Sequence, residues 1–162
     1  MRFEKVSLEQ ACREYENAFG TKADTNAIKE VLDRLELPTR STDGSIGYDF
    51  HSPFEINQTK RKPLFFPLFV TVKDMPKDVA LFIYNRSGLS LRKGVILDNA
   101  VGIIDSDYYP FGIGCQLTAT RNDIYIKEGS KVCQGIFHKG LFVDDDSLNG
   151  SKRNGGFGST GE

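Results

Sequence analysis

Up to Pro38 the apolar side chains recur at helical spacing, and beyond it they fall into short β-prone runs broken by turn residues. Ser7-Leu8-Glu9-Gln10 has the Ser-x-x-Gln form of a capping box. It leads into Ala11, Cys12, Tyr15, Ala18 and Phe19, with Gly20 as the stop, which predicts a first helix. A second is predicted over residues 27–37, capped by Asp24 or Thr25 and closed by Pro38, with Ile28, Val31, Leu32 and Leu35 on one face. Both helices are amphipathic and are expected to pack on the rest of the fold. Neither carries a chemical motif.

Residues 39–50, 64–72, 79–84, 94–97, 114–120, 123–126 and 132–137 predict strands. Turn signals at Asp43-Gly44, Arg86-Ser87-Gly88, Arg121-Asn122-Asp123 and Glu128-Gly129-Ser130 separate several of these runs. This spacing suits an antiparallel sandwich or jelly roll, because a parallel sheet needs helices between its strands. Lys60-Arg61-Lys62 reads as a solvated hairpin end, and no internal repeat is present. Over residues 98–108, Val101, Ile103 and Ile104 predict a buried strand that Asp105, Asp107 and Tyr108 cut short. Gly102 within it marks a bulge or a close approach of a ligand to the backbone. From the residues alone this segment is either a hairpin tipped by solvated acids or a strand opening onto a site. Residues 144–162 hold almost no apolar side chain besides Leu148 and Phe157. They read either as a flexible tail or as a glycine-rich flap whose N–H groups can turn towards an anion.

The totals narrow the classes. A chain of 162 residues is the size of one ordinary domain. A formal net charge of −1 gives no global attraction to nucleic acid or membrane, so a polyanionic ligand must be held by a local cluster. Cys12, Cys115 and Cys133 are odd in number and widely spaced, which fits free thiols in a reducing compartment. They do not form a metal-binding cysteine pattern. No apolar run approaches the roughly 18 residues of a membrane span, and the N-terminus lacks a signal-peptide pattern, so a cytoplasmic location is expected.

Five short stretches, taken together, carry a resemblance. They are Gly44-Ser45-Ile46-Gly47-Tyr48-Asp49, Asn85-Arg86-Ser87-Gly88-Leu89, Gly102-Ile103-Ile104-Asp105-Ser106-Asp107-Tyr108, Gly129-Ser130-Lys131-Val132-Cys133-Gln134 and Gly155-Gly156-Phe157-Gly158-Ser159-Thr160-Gly161. Over residues 37–162 the chain resembles the trimeric dUTP diphosphatases, or dUTPases. The resemblance implies a mainly β, jelly-roll-like barrel over residues 38–143. An N-terminal two-helix extension (1–37) precedes it, and a flexible glycine-rich C-terminal arm (144–162) closes the active site. It also implies hydrolysis of dUTP to dUMP and diphosphate by Mg²⁺-assisted attack of water on the α-phosphate, which limits uracil in DNA and supplies dUMP for dTMP synthesis. The partners implied are dUTP and two further copies in a closed homotrimer with shared active sites, without stable nucleic-acid or membrane binding.

Carried over position by position, the resemblance implies that Asp105 is the general base, while Asp107 supports the turn. Asp49 contacts hydrated Mg²⁺ through water. Arg86, Ser87 and Gly88 bind phosphate, and Gln134 bonds the α-phosphate. Asn99 and the backbone around Gly102 and Ile104 read the uracil edge, and Tyr108 lies under the deoxyribose and excludes a 2′-hydroxyl. In the arm, Phe157 stacks on uracil while Arg153, Gly158, Ser159 and Thr160 close over the phosphates. The chain departs from the family in four places. Lys152 stands where an arginine is usual, so the basic contact falls to Arg153, and Arg92 stands where a lysine is usual. Tyr109-Pro110-Phe111-Gly112 replaces a short polar turn, and the N-terminal helices are additional. dCTP deaminase shares the fold, but Cys115 and Gln116 occupy the place of its catalytic glutamate. A dUTP-sensing binding module of the same fold is the other alternative.

Overall fold

The chain opens on a strand that the apolar periodicity does not announce. In the computed structural model, which describes residues 1–145, β1 (Arg2–Lys5) precedes the helices α1 (Leu8–Phe19) and α2 (Thr25–Arg34). There follow β2 (Thr39–Arg40), β3 (Tyr48–His51), β4 (Ile56–Gln58), β5 (Leu64–Pro67), β6 (Val70–Lys73) and β7 (Val79–Asn85). A π-helical turn, Gly88–Lys93, leads to β8 (Val95–Leu97), β9 (Gly102–Ile104), β10 (Gly114–Ala119), β11 (Ile124–Ile126) and β12 (Lys131–Lys139).

The strands form a five-stranded sheet in the order β2-β3-β12-β7-β9, a three-stranded sheet β5-β10-β8, and the pairs β1-β6 and β11-β4. All of these pairings are antiparallel. The body is thus mainly β with two added helices, as expected, and its faces close on one apolar core. Phe50, Phe66, Phe69, Leu68, Leu81, Ile113 and Leu117 are its largest fully buried apolar side chains. Each such side chain contributes roughly 1.5–3 kcal/mol on burial. Gly135 in β12 is required by this packing, because a Cβ there would stand 2.8 Å from both Leu81 and Phe50.

The helices join the same core. Ala11, Ile28, Leu32 and Leu35 are buried in it, and a chain of rings runs from Tyr15 and Phe19 through Phe54 to Phe69. Ser7 caps α1 by accepting the Gln10 N–H, but the Gln10 side chain donates to Glu14 and does not complete the reciprocal box. Asp24, not Thr25, caps α2. That helix stops at Arg34, short of residue 37, because Leu35 already has extended backbone.

Other sequence expectations need correction. The run 39–50 is two strands, and the run 64–72 is broken at Phe69, which takes a left-handed φ of 56°. Arg86-Ser87-Gly88 does not form a hairpin turn but opens the π-helical turn, with the Ser90 N–H bonded to the Arg86 carbonyl. Within 98–108 only Gly102–Ile104 is a strand. It is the edge of its sheet, so Ile104 is buried while Val101 and Ile103 remain 36% and 57% exposed. Among the described residues, no helix is long and apolar enough to cross a membrane.

Candidate active site

Where β3, β12 and the end of β7 meet, a cavity of about 300 Å³ is lined by Ser41, Gly47, Asp49, Arg86, Ser87 and Gln134, among others. Register explains the convergence. Asp49 pairs with Gln134 on one side and Thr39 on the other, and residues directly opposed across antiparallel strands share a face. The register shift between Lys131 and Cys133 brings Lys131 onto this face as well.

Asp49 is the centre of charge. Its Oδ1 lies 2.8 Å from the Arg86 Nε, and its Oδ2 accepts from the Lys131 Nζ at 2.7 Å and from the Ser41 hydroxyl at 2.7 Å. Burial alone raises the Asp49 carboxyl, but hydrogen bonds from Lys131 and Ser41 and the Arg86 charge outweigh it, so the group is held below the usual carboxylate range. Two cations against one carboxylate leave a net positive charge. The Arg86 Nε is committed to Asp49 and its Nη1 donates to the Lys131 carbonyl at 3.5 Å, which leaves the remaining hydrogens of its planar fork to meet an anion. Gln134 donates one amide hydrogen to the Asn85 carbonyl at 2.9 Å, and its second is the donor available to a ligand.

Among the described residues, no group of three His, Cys, Asp or Glu side chains is placed to cage a metal. Asp49 already accepts three bonds, and a carboxylate offers about four acceptor positions. That donor set fits a water of a hydrated ion whose other ligands come from elsewhere, as is usual for Mg²⁺ on phosphates.

The second group of expected residues lies on the loop that joins β8 to β9, on β9 itself and just beyond it. Ala100, with φ 58°, turns the chain there. Gly102 packs against Ile83, with the Asn99 amide close by. Asp105 is half-buried beyond Ile104, and its carbonyl accepts the Tyr108 N–H. Tyr108 is buried, and its hydroxyl donates to the Gly112 carbonyl at 3.2 Å.

One chain does not bring the two groups together. Ile104 pairs with Leu81, and the stretch from 81 to 86 then separates Asp105 from Arg86 by roughly 16 Å at about 3.3 Å per residue. Arg153, Phe157, Gly158, Ser159 and Thr160 lie outside the described residues. Lys131 and Ser41 were not anticipated as site residues. Lys131 lies within a stretch already singled out, but only the pairing of β2, β3 and β12 shows that both meet Asp49.

A mainly antiparallel β body with a net cationic, polar pocket has the makings of a site for an anionic ligand such as a phosphate. The family model described as dUTPase matches residues 33–161. The chain is 34% identical over 134 residues to the deoxyuridine 5′-triphosphate nucleotidohydrolase of Lactococcus lactis, spanning 78% of this chain and 89% of that one. It is 39% identical over 132 residues to the enzyme of the same name from Finegoldia magna, spanning 77% and 91%. The crystal structure of dUTPase from Streptococcus mutans matches with a TM-score of 0.67 at 27% identity, covering 89% of this chain and 99% of that one. The chain belongs to the dUTPase family.

Proposed function

We propose that the protein hydrolyses dUTP to dUMP and diphosphate with the help of Mg²⁺, in a site completed by other copies of the chain. The observation that carries this reading is the Asp49–Arg86–Lys131 cluster beside Ser87 and Gln134 in one polar cavity. A triphosphate needs such a set of fixed donors, and a carboxylate among them is explained by a hydrated cation that accompanies the substrate.

The residues then divide the work. Arg86 offers its remaining fork hydrogens to the phosphates, Ser87 and the Gly88 backbone lie beside the α–β bridge, and Gln134 holds the α-phosphate. Asp49 would hold a hydrated Mg²⁺ by accepting from one of its waters, and such an ion would supply neutralisation of the phosphate charge. Asn99 and the backbone at Gly102 and Ile104 bind the uracil edge, with the Tyr108 ring under the deoxyribose. Asp105 takes a proton from a water aimed at the α-phosphorus. The new P–O bond forms as the bond to the bridging oxygen breaks, and diphosphate leaves. Arg153, Phe157, Gly158, Ser159 and Thr160 close over the nucleotide and exclude bulk water.

A closed homotrimer accounts for the distance between Asp105 and Arg86, because the segment around β9 of one copy can face the phosphate cavity of the next. The deaminase alternative needs a glutamate that the fold does not supply. Cys115 is buried, and Gln116 is bonded to Asp98. The test is diphosphate release from dUTP, dCTP, dTTP and UTP, with Mg²⁺ and with chelator. The expected result is cleavage of dUTP alone, dependent on metal, and a fall of about 10²–10⁴-fold in kcat for Asp105→Asn with dUTP still bound. Wild-type protein that binds dUTP without releasing diphosphate contradicts the reading.

A further inference from the structure

Glu14 of α1 is a carboxylate that the reaction does not use, and it is buried against the segment that follows Tyr108. Its Oε1 accepts the Gly112 N–H at 2.6 Å and a Gln10 amide hydrogen at 2.8 Å. Gln10 is itself fixed, since its backbone N–H donates to the Ser7 hydroxyl at 3.1 Å. The other side of Gly112 faces the site, where its carbonyl accepts the Tyr108 hydroxyl at 3.2 Å. Phe111, between them, donates its N–H to the Tyr108 carbonyl and packs its ring edge-on to Tyr108 at 5.9 Å. A Cβ on residue 112 would collide with the Glu14 carboxylate, so only glycine permits this approach. The Glu14 Oε2 is buried with no hydrogen-bond partner among the described residues, and burial raises the carboxyl above its ordinary pKa. Holding such a group in place costs free energy. Its Oε1 contacts beyond α1 run to the turn behind Tyr108.

We propose that Glu14 is a positioning residue for Tyr108, so that the N-terminal helix fixes the ring that discriminates deoxyribose from ribose. The chain of contacts runs Gln10, Glu14, the Gly112 peptide, the Tyr108 hydroxyl. Loosening the Gly112 peptide frees the ring to shift, and a misplacement of about 1 Å is enough to change how tightly a site discriminates. The departure Tyr109-Pro110-Phe111-Gly112 and the added helices are then one device, because the turn supplies the peptide that the helix grips. The proposal rests on the reading that Tyr108 faces the sugar.

The test compares kcat/KM for dUTP and UTP in wild type, Glu14→Ala, Glu14→Gln, Tyr108→Phe and Tyr108→Ala, with thermal melting of each. Glu14→Ala and Tyr108→Phe break the chain from opposite ends. Each should lower the dUTP/UTP ratio about tenfold, the scale of one lost hydrogen bond, and the double variant should lower it no further. Glu14→Gln keeps an acceptor oxygen for the Gly112 N–H and should restore the ratio to within about twofold of wild type. A merely structural role lowers melting temperature without moving the ratio. An unchanged ratio in Tyr108→Phe or Glu14→Ala, with loss of discrimination in Tyr108→Ala, overturns the clamp and leaves the sugar-facing tyrosine standing. A wild-type ratio in Tyr108→Ala overturns both. If Glu14→Ala does not fold, Glu14→Leu, which keeps the bulk but removes the acceptor of the Gly112 N–H, takes its place in the comparison.

Discussion

A carboxylate held by a guanidinium, an ammonium and a hydroxyl cannot be neutralised without leaving the cations around it to repel one another. At Asp49 this means that Asn in its place keeps the shape of the pocket while Arg86 and Lys131 lose the charge between them. Asp49→Asn is therefore expected to lower kcat/KM for dUTP by about 10–100-fold, as removal of a partner that acts on a metal through water generally does. Titration of activity with Mg²⁺ should show the half-saturating concentration rising in that variant. An unchanged metal dependence would place Asp49 in charge balance alone. At this scale the short ordered motifs singled out Arg86, Ser87 and Gln134, which the structure brings to one cavity, and Asp105, which it places apart from them. The sequence was silent about the roles of Lys131 and Ser41. Lys131 lies inside a motif but is one strand lysine among several polar residues, and Ser41 stands in a loop outside every motif; it is the pairing of Thr39 with Asp49 and of Asp49 with Gln134 that gives them a role.

Elements differ in how far their own residues determine them. α1 and α2 have full apolar stripes and formed as expected, because each stripe has one way to be buried. β1 was illegible, since Arg2-Phe3-Glu4-Lys5 has one apolar residue and becomes a strand through its register with β6. Phe3 then packs between Tyr48, Phe50 and Phe137, contacts that local pattern cannot reveal. The break at Phe69 was equally hidden, because a left-handed phenylalanine has no signature in an apolar run. One consequence of docking α1 on the barrel is measurable through pH. The Glu14 carboxyl is raised in the folded state by burial, against hydrogen bonds from Gln10 and Gly112 that lower it. The folded protein thus binds this proton more tightly than the unfolded chain, and stability from this group falls as pH rises from the ordinary glutamate pKa through the folded value. Glu14→Gln carries no such charge. Its melting temperature relative to wild type should therefore rise with increasing pH across that window and level off above the folded-state value. A difference independent of pH would show that Glu14 is not titrating in its buried position.

At the scale of the whole molecule, a single copy keeps Asp105 apart from the cluster of Asp49 and Arg86. Asp105 sits at the edge of the five-stranded sheet, and Arg86 and Asp49 lie at the other end of β7. Exposed apolar side chains lie beside Asp105, with Ile103 57% and Phe142 67% exposed on a cavity that Asp105 also lines. Such surface is what a neighbouring copy would cover. The closed-trimer reading follows from these two observations and is open to a direct genetic test. Arg86→Ala and Asp105→Asn, each inactive alone, are co-expressed in equal amounts and the mixed assemblies assayed for diphosphate release from dUTP. If each site takes Asp105 from one copy and Arg86 from another, random mixing leaves about a quarter of the sites intact, and about a quarter of wild-type activity returns. If the mixture forms mixed trimers and remains as inactive as its parents, both residues serve one site within one chain, and the shared-site account is wrong.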